Sequence, residues 1–318
     1  MSWFAAEIDG PLVLTRGIHF AAAAAAAGVL MFRSLVAEPA LRPSAEGNAV
    51  VEARLLRLTW AALAVVILTG VVWLTLETMS MASLAWDEAM RSGAMQTVVN
   101  ETQFGLVFEV RAGLSILLAA CLTLNRFALA RWVALAAGLA LVTAIAWTGH
   151  AGATLGEFGD LHLAADVLHL AAASAWIGGL AGLCVLFGRH RPAREWGPLQ
   201  FDAIRRFSII GMISVAVLIA SGTVHVWILV GSVRALLATD YGRLLLLKLA
   251  AFAIMIGFAA VNRFSLTPQL AVGAKDCARA PSLAALRRNT LIEIALALAI
   301  FAIVGVLGTL HPAIHLVK

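Results

Sequence analysis

Between residues 148 and 170 the chain reads TGHAGATLGEFGDLHLAADVLHL, and an apolar stretch then leads to Trp176-Ile177-Gly178-Gly179. His162, Asp166, His169 and Trp176 follow one another at helical spacing and form one stripe on an otherwise apolar helix. Imidazole suits copper and other late transition metals, and a carboxylate one turn away can orient a ring or balance a bound charge. Ionisable groups on so apolar a helix are functional suspects by default.

The elements that must hold this stripe are set by composition. With 62% hydrophobic and 13% charged residues, the chain is an integral membrane protein rather than a soluble domain. Apolar runs of bilayer length fall at roughly 12–36, 56–78, 104–125, 130–149, 160–187, 207–230, 243–264 and 289–310. The expected fold is therefore all-α, a polytopic membrane protein with eight transmembrane helices in a single domain over 1–318. Sixteen of the 23 Lys and Arg fall in connections 1/2, 3/4, 5/6 and 7/8, which places those on the cytoplasmic side and both termini in the periplasm. The first ten residues hold Glu7 and Asp9 and no basic residue, so the first span is expected to be retained. The net charge of +5 follows from this topology and gives no argument for nucleic-acid binding. Cys121, Cys184 and Cys277 show no metal-knuckle spacing. A P-loop and the HExxH, GxSxG and EF-hand patterns are absent, so no ATPase domain is read in this chain. No internal repeat is evident by eye.

In this topology His19, His150, His162, His169, His225, His311 and His315 lie toward the outer side, and His190 lies in an inner loop. At about 1.5 Å per residue, His19, His169 and His225 reach one level on three helices and are expected to bind metal jointly. His150 and His162 would gather metal at the mouth. Met79 and Met81, with Met90 and Met95 nearby, offer thioethers as an outer capture site for Cu(I). The same layer holds Arg16, Arg111 and Lys248 against Glu109 and Asp166, a balance of about +1 that does not by itself attract a cation. Ion pairs of Asp166 with Arg16 or Lys248 would relieve it; alternatively the cations would meet the propionates of a haem b held by two histidines. Glu293, near Asn262, Arg263, Arg287 and Arg288, is either a helix-anchoring ion pair or an inner-side proton or metal group.

The chain resembles the CopD/PcoD family of bacterial inner-membrane copper resistance and uptake proteins. The likeness rests on Arg16-x-x-His19, Thr102-x-Phe104-Gly105 followed by Arg111, Gly149-His150-Ala151, and Asp166-x-x-His169 leading to Trp176-Ile177-Gly178-Gly179. It continues through Arg206-Phe207-Ser208, Thr239-x-Tyr241-Gly242-Arg243 with Lys248, Asn262-Arg263, Glu293 and Pro312, in order along nearly the whole chain. The resemblance implies copper homeostasis at the bacterial inner (cytoplasmic) membrane, with copper as Cu(I) or Cu(II) and a periplasmic CopC-like protein as donor. The expected activity is copper import through a histidine-lined site rather than enzyme catalysis. The alternatives are a haem-binding membrane oxidoreductase of the HemJ-like superfamily and a metal sensor or scaffold that transports nothing.

Overall fold

A computed structural model describes residues 9–188, 193–271 and 276–316. His190, Lys275 and Lys318 lie outside the described residues, as do the side chains of Cys277 and His315. No strand occurs among the described residues, and eight helices are long and apolar enough to cross a membrane. They are α1 (Gly10–Leu41), α2 (Ala49–Ala82), α3 (Gln103–Thr123), α4 (Ala128–Thr148), α5 (Glu157–Phe187), α6 (Gly197–Leu229), α7 (Asp240–Gln269) and α8 (Ala280–Leu307). Eight alternating spans leave both ends of the chain on one face, called here the terminus face.

Local chemistry starts these helices. Asp9 accepts the Leu12 N–H at 3.1 Å ahead of Pro11 in the first turn of α1. Thr102 and Thr239 cap α3 and α7 in the same way, each accepting at 3.0 Å from the glycine three residues on. Several helices outrun the apolar stretches that announce them. Arg33, expected in the 1/2 connection, lies within α1, is 2% exposed, and pairs with Glu52 at 2.6 Å and Glu38 at 3.5 Å. Arg205 and Arg206, expected between spans 5 and 6, lie on α6, where Arg206 meets Asp202 at 2.7 Å. A hydropathy run stops at its first charge, whereas backbone hydrogen bonding does not. The long 79–103 connection likewise contains two short helices, Trp86–Arg91 and Ala94–Glu101.

The two central helices are α1 and α5, each with more than half of its apolar window buried. They cross so closely that a Cβ on Gly28 would lie 1.8 Å from the Ser174 carbonyl oxygen and 2.8 Å from the Gly178 Cα. Only hydrogen fits at this crossing, as in small-residue helix contacts generally. Around α1 pack α2 and α4, and around α5 pack α6 and α8, with α3 against α4 and α7 against α8.

This arrangement shows an internal duplication that is not evident by eye in the sequence. His19 on α1 bonds Thr69 on α2, and His169 on α5 bonds Ser221 on α6. The capped motif Thr102-x-Phe104-Gly105 with Arg111 on α3 answers Thr239-x-Tyr241-Gly242 with Lys248 on α7. Asn125-Arg126-Phe127 after α3 answers Asn262-Arg263-Phe264 on α7, although Asn125 donates to Glu52 on α2 and Asn262 to Glu293 on α8. The halves α1–α4 and α5–α8 are thus parallel repeats, the kind related by an axis along the membrane normal. Few identical residues carry the signal, which is why it emerges from paired contacts rather than from letters.

Candidate functional site

The α5 stripe meets α6 near the terminus face. The His162 and His225 rings lie 5.3 Å apart between centroids, and those of His169 and His225 lie 5.1 Å apart. His225 Nε2 stands 3.6 Å from Asp166 Oδ1, too long for a direct hydrogen bond but within ion-pair range were the ring protonated. That Nε2 is buried and has no hydrogen-bond partner. Hydroxyls fix the other two rings: His162 Nδ1 meets Thr154 Oγ1 at 2.9 Å, and His169 Nδ1 meets Ser221 Oγ at 2.9 Å. The Ser221 hydroxyl itself donates to the Val217 carbonyl at 2.7 Å, so His169 Nδ1–H donates to Ser221 and leaves Nε2 as the basic nitrogen. Beyond this layer the His150 and Tyr241 rings are in contact at 6.3 Å. Lys248, on the same turns of α7, acts electrostatically on Asp166, His169 and His225.

His19 belongs to a different group. Its Nδ1 bonds Thr69 Oγ1 at 2.8 Å, its Nε2 is hydrogen-bonded by the Arg111 guanidinium, and its ring packs edge-on against Trp73 at 5.3 Å. The Thr69 hydroxyl donates to Val65 O at 2.6 Å, so here too the imidazole donates from Nδ1. The structure therefore joins His169 and His225, adds His162, and holds His19 apart from them. The cause lies in the repeat, since each central helix turns its histidine toward its own half. A cavity of about 220 Å³ lies beside His19 and Arg111 and reaches Phe104 and Thr148.

The charged residues also divide by half. Arg16 lies over Trp73, with 5.5 Å from its guanidinium carbon to the ring centroid, and within electrostatic reach of Glu77, which accepts the Trp73 indole N–H at 2.9 Å. Glu109 is exposed on α3, so the carboxylate that serves this group is Glu77. Asp166 faces His225 and Lys248, and Arg16 is not its partner. Met79 and Met81 sit at the terminus-face end of α2, half-buried and exposed respectively. Among the described residues, no group of three or more His, Cys, Asp or Glu side chains converges as a preformed metal cage. Sequence reasoning passed over Thr69, Trp73, Glu77 and Ser221. The repeat was the signal that would have found Thr69 and Ser221, each bonded to its half's central histidine.

In the opposite half, Glu293 is 1% exposed and accepts from Asn262 Nδ2 at 2.7 Å, while Asn289 Nδ2 donates to Asn262 Oδ1 at 2.8 Å. The helix-anchoring ion pair expected with Arg287 and Arg288 does not occur among the described residues.

Comparison with known proteins bears on what this arrangement serves. A family model described as copper resistance protein D-like, N-terminal domain, matches residues 7–160, and one described as copper resistance protein D matches residues 201–307. Over 237 residues the chain is 32% identical to copper resistance protein D of Pseudomonas syringae pv. tomato, covering 71% of this chain and 74% of that protein. The chain belongs to the copper resistance protein D family. It is also 31% identical over 199 residues to copper transport protein CutJ of Bacillus subtilis strain 168, covering 59% of this chain and 36% of that one. Inner membrane protein YebZ of Escherichia coli K12 is 32% identical over 168 residues, covering 53% of this chain and 55% of YebZ. No solved structure matches the chain. As a family member it is a multi-pass, copper-related membrane protein, and the two matched segments fall largely on the two structural repeats.

Proposed function

We propose that this protein imports copper across the bacterial inner membrane through the His162, His169 and His225 layer of its second repeat. The observation that carries the reading is the contact of the His225 ring with those of His162 and His169, with Asp166 beside it, His162 buried and the others half-buried in an apolar bundle. Neutral imidazoles accept either Cu(I) or Cu(II), and Asp166 offsets Lys248 so that a cation can enter. An open layer rather than a closed cage suits cargo, which must bind well enough to enter and weakly enough to leave. His150 stands at the mouth, and Met79 and Met81 offer capture of Cu(I) at the same face. The first repeat, with His19, Arg111, Arg16 and Glu77, supplies the rigid counterpart against which the second half is held.

The bias of basic residues toward the other face supports a periplasmic terminus face, where a CopC-like protein would deliver copper. The name of the Bacillus relative supports transport, and that of the Escherichia relative supports the inner membrane.

Metal analysis with X-ray absorption on the purified protein tests the site. Bound copper should show imidazole nitrogen ligation, and His169→Ala and His225→Ala should each lose it at near-normal membrane abundance. Full copper retention by both variants would overturn the site. A Soret band from the purified protein would point to haem b instead.

A further inference from the structure

Each half has one amide–carboxyl pair, and the two differ: Glu52 lies half-buried on α2, whereas Glu293 lies buried on α8. In the first half Asn125 Nδ2 donates to Glu52 Oε1 at 3.0 Å, and Arg33 meets the same oxygen at 2.6 Å. In the second half Asn262 donates to Glu293, and no Lys or Arg lies within 4.0 Å of that carboxyl group among the described residues. The remaining polar neighbours of Glu293 are the Trp176 side chain on α5, Asn289 and Thr290 on its own helix, and Ser208 across the cavity on α6. Arg263 on α7 lines the same cavity, but its guanidinium is committed to Ser208 Oγ and to the Phe264 ring.

That cavity measures about 360 Å³ and runs from Trp176 and Glu293 past Asn262 and Arg263 to Thr267, toward the face opposite the termini. Trp176, which hydrogen-bonds this carboxyl group, lies two helical turns beyond His169 on the α5 stripe. Two orphaned polar atoms, Asn289 Oδ1 and Arg263 Nε, are buried nearby. Such groups are ordinarily satisfied by water or a ligand.

We propose that Glu293 is a proton-exchanging relay of the opposite half, losing its proton when a copper cation enters that half and regaining it when the cation leaves. This rests on the copper-transport reading above. An ionised carboxylate so placed would have no cation within 4.0 Å among the described residues, so the resting group carries its proton. The arriving cation supplies the missing positive charge. The O–H bond then breaks, the proton passes down the cavity to the aqueous phase, and no electron moves. Carboxyl and amide oxygens are poor ligands for Cu(I), so Glu293 acts by charge rather than as the copper's main ligand. Glu52 already has a cation beside it in Arg33, at 2.6 Å.

Two measurements on the purified full chain test this. With Cu(I) added in excess of the histidine layer under weak buffering and a pH-indicating dye, wild type should release roughly one proton for each copper bound beyond that layer. Glu293→Gln, which keeps the shape and a hydrogen-bonding oxygen, should bind copper at the histidine layer and lose that release; Glu52→Gln should keep it. In infrared difference spectra the wild type should show a protonated carboxyl band that Glu293→Gln lacks. Equal proton release by wild type and Glu293→Gln, or an infrared band unchanged by the substitution, would overturn the relay. If the wild type binds no copper, the transport reading falls by itself, and the infrared band still decides whether Glu293 holds a proton.

Discussion

His19 and His169 occupy equivalent places in the two repeats and have different chemistry. Both donate from Nδ1 to a hydroxyl one helix away, but the Nε2 of His19 is taken by Arg111. We infer from these bonds that His19 is structural: its loss would leave a buried guanidinium short of an acceptor, a cost of about 1–3 kcal/mol or more. His19→Ala should lower the melting temperature of the detergent-solubilised protein while copper still binds. A loss of copper as steep as that of His169→Ala, with the melting temperature unchanged, would contradict this assignment. The placement of His162, Asp166 and His169 on one helical face was legible from spacing alone. The separation of His19 was not, because equal depth in the membrane says nothing about which way a helix turns its face.

At the scale of elements, the eight spans were legible because about 20 apolar residues in a row have few alternatives to crossing a bilayer. Their ends were not legible, since residues such as Arg33 and Arg206 continue the helix on ion pairs rather than on hydropathy. The α1/α5 crossing was only hinted at by Gly178-Gly179, and its partner Gly28 sits in an alanine-rich run without distinction. Overpacking there costs typically about 1–3 kcal/mol, and backbone on both sides prevents easy relief. Gly28→Ala should therefore reduce thermal stability and folded yield. Gly113→Ala on α3, where an added methyl meets nothing within 4 Å, should be neutral or stabilising by about 0.5–1 kcal/mol. Melting curves of the two variants side by side check the pair, and equal stability would show that the central crossing is looser than described.

At the scale of the molecule, two parallel repeats have diverged in charge. The first surrounds its histidine with Arg16, Arg111 and Glu77; the second surrounds its own with two more imidazoles, Asp166 and Lys248. On the proposed reading the first half disfavours a cation at its histidine and the second is able to receive one. The central claim is that copper crosses through the second half. It is tested most directly by radiocopper uptake into sealed vesicles holding the full chain in known orientation, with copper supplied at the terminus face. Wild-type vesicles should accumulate copper, while His169→Ala and His225→Ala vesicles should fall to the level of protein-free vesicles at equal protein content. Accumulation by both variants at the wild-type rate would contradict the account.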